Sequence, residues 1–349
     1  MRTPRLKLPD GRVVLIEPGW AGKLSGFTLL FEALILALSA ARYRTTRYLS
    51  ALCRQMPFAA VARLVGESWH RVMAICERYV ELALAKADLS GLTMLAIDET
   101  SSRRAHNYLT FAADAEAHKV VFVTEGRDAN TIREFAKFLA EHNGDAEQIS
   151  CVSIDMSKAF IKGVTEQLPK ARITFDKYHV VAHASKALDQ TRRGEQKTDP
   201  KLKGLRWALL KDRGRLTGSQ RVDLDAFTAQ VTTKRTARAW LYREQLRDIL
   251  DRKQINVVTA MLKRWCSNVK RSKAEAMKKV AQMILDHFEG VTAWAQTRQT
   301  NGFLEAINGL FQAAKRKARG YGRFQTMRTV IYLVAGNLNF SAINPHTTA

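Results

Sequence analysis

Asp98 closes the apolar run Thr93-Met-Leu-Ala-Ile-Asp98, and Asp155 closes Cys151-Val-Ser-Ile-Asp155. Both runs have the length and composition of buried strands, so each carboxylate is expected where a strand gives way to a turn. A right-handed crossover between the two strands would lay them parallel and adjacent. Both acids would then sit at the end where open α/β sheets place their sites. Two carboxylates a few ångströms apart repel unless a divalent cation lies between them, and oxygen ligands suit Mg²⁺ or Mn²⁺. Taken singly, each Asp could equally cap the following turn or helix.

A third acid has two candidates. Glu305 lies in Asn301-Gly-Phe-Leu-Glu-Ala-Ile-Asn-Gly-Leu-Phe-Gln-Ala-Ala-Lys-Arg316. There Leu304, Ile307, Phe311 and Ala314 form a buried helical stripe, and Glu305, Asn308, Gln312 and Lys315 share a polar face. Such a face can bring Glu305 to a metal and its neighbours to phosphates; it can also simply face solvent. Asp176 ends a later strand, close to His179 and His183. That cluster is too small to signal a zinc site, and a positioning role for His179 fits it better. Ser101 and Ser102 have no elbow motif of a serine hydrolase, and no Gly-rich phosphate loop occurs.

The elements that must position these residues fall into four stretches. Residues 1–26 carry Pro and Gly, with one short strand at Arg12–Ile16 and loop elsewhere. From Phe27 to about Val80 the pattern is helical. Pro57 opens a short helix through Leu64, Gly66 breaks it, and Ser68 caps a helix from Trp69 to about Ala85, which is a helix-turn-helix signature. Ser68, His70 and Arg71, at the start of the second helix, are the candidates for a groove contact. After Gly91 come strands ending at Asp98, Ala113 and Thr124, a helix over Thr131–His142, and a strand ending at Asp155. A helix over Lys158–Leu168, a strand over Ala171–Asp176 and a helix from about Val180 complete the run. This βββαβαβα order is that of the ribonuclease H-like fold. Residues 186–299 read as a basic, all-helical insertion, and two helices follow, over Asn301–Lys317 and Phe324–Leu338.

Composition narrows the partners. The 349 residues carry 56 Lys and Arg against 33 Asp and Glu, a net charge of +23, which calls for a polyanion. Lys315, Arg316, Lys317 and Arg319 form an acid-free run suited to phosphates. The apolar stretch Phe27–Ala41 contains Glu32 and is shorter than the ~18 residues a membrane span needs. The start is basic but lacks an apolar signal core. Four scattered Cys signal neither a disulfide framework nor a sequence-local zinc site, so a cytoplasmic protein with reduced thiols and no membrane is expected.

The chain resembles the DDE transposases of the ISL3 family of bacterial insertion sequences. The matching segments include Gly26-Phe-Thr-Leu-Leu-Phe-Glu-Ala-Leu, Ala96-Ile-Asp-Glu99, Ser153-Ile-Asp-Met-Ser157, Asp176-Lys-Tyr-His-Val180 and Arg206-Trp-Ala-Leu-Leu-Lys211. Asn301-Gly-Phe-Leu-Glu-Ala-Ile-Asn308 and Ala314-Lys-Arg-Lys-Ala-Arg-Gly-Tyr321 are the most specific of them. The resemblance implies a metal-binding triad of Asp98, Asp155 and Glu305; beside it His179, Asn308 and Gln312 are read from the residues as positioning groups. It implies two Mg²⁺ or Mn²⁺ ions cutting double-stranded DNA at transposon ends and joining them to target DNA. At least a dimer on DNA is implied too, nucleoid-associated in the cell.

The domain reading is a remnant segment over 1–26 and a helix-turn-helix region over 27–90. A ribonuclease H-like core over 91–185 and 300–349 is interrupted by an insertion over 186–299. Family members carry a Cys-rich zinc module before the helix-turn-helix. Here Leu8 stands where a metal-binding Cys is expected and no Cys precedes Cys53, so a shortened module without zinc is expected. Two rivals are a structure-selective nuclease on the same fold and a catalytically silent DNA-binding derivative.

Overall fold

The computed structural model describes residues 5–15, 27–40, 56–103, 107–229, 234–297, 302–344 and 346. The stretch 41–55, with Cys53, lies outside them. The chain divides into two compact units, residues 1–149 with 302–349, and residues 150–301.

The first unit opens with a small hairpin, β1 (Arg5–Lys7) against β2 (Val13–Leu15), with Arg5 opposite Leu15. Sequence reading expects only the second of these strands. Three residues are too few to show alternation, so β1 is defined by its pairing with β2. Helix α1 (Leu29–Ala40) leads to the two helices of the expected helix-turn-helix, α2 (Phe58–Val65) and α3 (Trp69–Leu84). Gly66 ends α2 in the left-handed region, at φ 70°, where a side chain would be strained. Ser68 caps α3 by accepting from the Arg71 backbone N–H at 3.4 Å. Val61, Val72, Cys76 and Val80 are buried between the helices.

Then β3 (Met94–Arg103), β4 (Asn107–Asp114) and β5 (Lys119–Glu125) pair antiparallel in that order, with Asp98 opposite Phe111. The expected strand boundary is corrected here: β3 continues past Asp98 to Arg103. Asp98 therefore lies inside a strand. Thr100 and Ser102 are polar but buried with satisfied hydroxyls, Thr100 bonding Asn308 and Ser102 the Asn107 carbonyl, so pairing with β4 runs on. Helix α4 (Ala129–Glu141), capped by Asp128, follows. Two late helices, α13 (Gly302–Lys317) and α14 (Phe324–Ala335), complete the unit. Leu304, Ile307 and Phe311 of α13 join Ala96, Phe111, Val123 and the α2–α3 residues in one core.

The second unit begins with β6 (Cys151–Ile154) parallel to β7 (Arg172–Phe175), joined through α5 (Lys158–Gln167). Helix α6 (Lys177–Glu195) starts directly after β7, three residues earlier than expected, because Asp176 caps it by accepting from the Tyr178 N–H at 2.9 Å. Helices α7 (Arg206–Leu210), α8 (Gly218–Thr228), α9 (Arg235–Asp251), α10 (Ile255–Lys270), α11 (Glu275–Asp286) and α12 (Phe288–Thr297) follow. The described residues of this stretch contain no strand. The helices share their compact unit with β6 and β7: α6 packs on α9 and α11, and α12 lies on β7. Gly290 permits that last contact, because a Cβ there would collide with the Phe175 ring. Antiparallel strands in one unit and a parallel pair in the other make the chain mixed α/β.

Candidate active site and DNA-binding helices

In the first unit Asp98 is half-buried, and its Oδ1 accepts from the Glu99 N–H at 2.8 Å. The two-residue period of a strand puts Asp98 on the face of β3 that carries Ala96 and Thr100. That face meets α13. The Thr100 hydroxyl donates to Asn308 Oδ1 at 2.6 Å and accepts from Gln312 Nε2 at 2.8 Å. Gln312 and Lys315 Nζ each donate to the Ser101 carbonyl at 3.0 Å. The polar stripe of α13 is thus fastened to β3 at three successive positions, and residue numbers rise in the same direction along both elements. Glu305 is exposed one turn before Asn308, and half-buried Asp98 is two residues before Thr100.

In the second unit Asp155 follows β6 directly, half-buried, with its Oδ1 accepting from the Ser157 N–H at 2.9 Å. His183 has its pKa lowered by burial first, then by Lys186 and His179, with Asp155 pulling the other way. Asp155, His179 and His183 therefore share one electrostatic neighbourhood. Asp176 is fully buried as the α6 cap. Among the described residues, no three His, Cys, Asp or Glu side chains stand grouped closely enough to hold a metal ion.

Ser68, His70 and Arg71 are all exposed at the start of α3. Arg71 is also tied into the protein: its guanidinium bonds Glu67 at 2.9 Å and lies 4.3 Å above the Phe27 ring. At the end of α13, Arg316, Lys317 and Arg319 are exposed. Arg319, at φ 58°, turns the chain out of the helix. Lys315 is half-buried, and burial pushes its pKa below the usual lysine value.

A transposase family model matches residues 95–331, well over half of the chain. A second model, the helix-turn-helix domain of transposase family ISL3, matches residues 43–80. The chain belongs to the ISL3 family of transposases. It is similar to the transposase for insertion sequence element IS1001 of Bordetella parapertussis, 27% identical over 339 residues, covering 92% of this chain and 80% of that one. The transposase for insertion sequence element IS1557 of Mycobacterium tuberculosis is 30% identical over 346 residues, covering 91% of this chain and 74% of the other. The chain is a DDE transposase, a phosphoryl-transfer enzyme acting on DNA.

Two features of the transposase escape sequence reading. Trp69 is 46% exposed and lies against His70, the rings tilted by 30° with centroids 3.7 Å apart. Helical periodicity aligns Trp69 with buried Met73 and Cys76, so pattern alone turns it inward. Glu32 is the other, visible in the sequence only as an acid interrupting an apolar run. It is fully buried, bonding Arg78 and the Tyr79 hydroxyl at 2.6 Å each. Among the described residues, no helix of the transposase is long and apolar enough to cross a membrane.

Proposed function

We propose that the transposase cuts double-stranded DNA at the ends of its element and joins each freed 3′-hydroxyl to target DNA. In this reading Asp98, Asp155 and Glu305 are the catalytic carboxylates, in a ribonuclease H-like core. The observation that carries it is the fastening of α13, the helix of Glu305, to β3, the strand of Asp98, through the Thr100 hydroxyl, Asn308 and Gln312. The chain order β3-β4-β5-α4-β6-α5-β7-α6 supports the same core.

The donor set is of carboxylate oxygens, the class that Mg²⁺ and Mn²⁺ take. Two ions per site, when bound, would activate the attacking oxygen and offset charge on the leaving one. Asp98 and Asp155 each keep one oxygen on a backbone N–H, which fixes the carboxylate plane. Glu305 stands exposed, open to solvent and to cations. Asn308 and Gln312 position α13, and His179 is a positioning group near Asp155. Arg316, Lys317 and Arg319 meet phosphates, joined by Lys315, which is already bonded to Ser101 through one N–H. Ser68, His70 and Arg71 meet the terminal repeat. Joining two ends requires at least a dimer on DNA.

The test is strand cleavage on a labelled end duplex, with binding measured separately in Ca²⁺. Glu305→Gln, Asp98→Asn and Asp155→Asn should each bind normally and lose Mg²⁺-dependent cleavage by at least about 100-fold, roughly 2.7 kcal/mol of barrier. Near-wild-type cleavage by Glu305→Gln, beside an inactive but folded Asp176→Asn, would move the third acid to Asp176.

A further inference from the structure

Trp207 sits where a core tryptophan would not. Its helix α7 buries Ala208 and Leu209 completely or nearly so, yet Trp207 leaves 56% of its surface open. Trp265 and Trp294 of the same unit are buried. The backbone that carries it is held: the Lys211 N–H bonds the Trp207 carbonyl at 3.0 Å, and the Leu209 N–H bonds that of Leu205 at 2.9 Å. The Arg206 guanidinium lies over the indole, 4.9 Å from the ring centroid. Arg206 is itself steered by Asp189, 3.8 Å away, which also pairs with Arg192 and Arg193 at 2.8 Å each. Arg192 reaches on to the Leu202 carbonyl at 3.4 Å, fastening the approach to α7 onto α6.

The surroundings are cationic. Lys203, Lys211 and Arg215 are exposed and have no carboxylate partner among the described residues. An open indole beside a guanidinium, with Lys203, Lys211 and Arg215 nearby in sequence, matches a ligand that combines phosphates with flat π-faces. In an intact duplex those faces are covered by neighbouring bases, so the indole can engage only a base that has left the stack.

We propose that Trp207 and Arg206 form a stacking platform for an unpaired base of the DNA substrate, with Lys203, Lys211 and Arg215 on the flanking phosphates. The proposal rests on the reading of DNA as substrate and adds to it a site for distorted or single-stranded DNA, remote in sequence from the three acids.

The full chain is titrated with two duplexes of equal length, one carrying 2-aminopurine as an extrahelical base and one carrying it fully paired. Wild type should quench the extrahelical probe. Trp207→Ala should bind that probe about ten-fold more weakly, with the quench lost and the paired duplex bound as before. Trp207→Phe should keep most of the quench. Unaltered quenching by Trp207→Ala, or equal weakening on both duplexes, overturns the platform. Intact quenching with altered sedimentation would assign the ring to a second copy of the chain and overturn it equally. If wild type binds neither duplex, the failure lies with DNA as substrate, and the platform falls with it.

Discussion

Arg71 shows how one residue can be asked to do two things. Its place at the start of α3 suits a groove contact, but its guanidinium already bonds Glu67 and covers Phe27. Arg71→Ala should therefore cost stability as well as discrimination between cognate and random duplex, the latter by about 1–3 kcal/mol if it reads a base. Thermal unfolding beside competition binding separates the two. Equal weakening on both duplexes would remove Arg71 from recognition and leave Ser68 and His70 as the candidate readers. Ser68 and Asp176 act differently, as helix caps. Replacing either by Ala should cost about 1 kcal/mol of stability. For Asp176→Ala, cleavage per folded molecule should fall far less than for Asp98→Asn; a loss as deep as that of Asp98→Asn in a folded variant would contradict a structural role.

At the scale of elements, two polar devices fix which helix meets which. The first is the Thr100 hydroxyl, which donates to Asn308 and accepts from Gln312, so one buried group sets the register of α13 on β3. Thr100→Val keeps the shape and leaves both amides short of a partner, at a cost of about 1–3 kcal/mol. Cleavage should drop further than the loss of folded protein explains, because Glu305 rides on the same helix; cleavage that tracks folded protein alone would detach α13 register from catalysis. The second device joins α1 to α3 through Glu32, Arg78 and Tyr79. Asn344 bonds both the Tyr79 hydroxyl at 3.0 Å and the Leu29 carbonyl at 2.7 Å. Glu32→Ala leaves the Arg78 charge without its buried partner and should destabilise by about 3–5 kcal/mol. A chemical denaturation midpoint unchanged from wild type would show that the network contributes nothing.

For the whole molecule, charge and pH give the broad tests. Phosphate neutralisation releases counterions, so affinity for DNA should fall linearly with the logarithm of salt, and a flat response would argue against a phosphate-dominated interface. Binding to end DNA should survive a zinc-selective chelator, because α2 and α3 pack through the apolar core of Val61, Val72, Cys76 and Val80; loss of binding would contradict this. Burial, then Glu32, push the Tyr79 hydroxyl up from its usual 10.0 to about 12, and burial pushes Tyr321 to about 12 as well. A folded-state pKa above the unfolded one favours folding fully below pH 10 and loses that contribution between about 10 and 12. Unfolding free energy should decline across that window; a flat profile would mean that the two phenols ionise at the same pH in the folded and unfolded states.

Much of this protein could be read before it was folded. Periodicity and punctuation placed the helix-turn-helix, the order of strands and helices and the two late helices, because turn chemistry at Gly66, Ser68 and Asp128 is local. Asp98, Asp155 and Glu305 were legible as candidates for the same reason. What tertiary structure decided was non-local. Only pairing with β4 carries β3 past Asp98, only Thr100 and Ser101 turn the polar stripe of α13 toward the sheet, and only packing separates exposed Trp69 and Trp207 from buried Trp265. Those outcomes depend on partners far away in sequence, whose contribution no local pattern records.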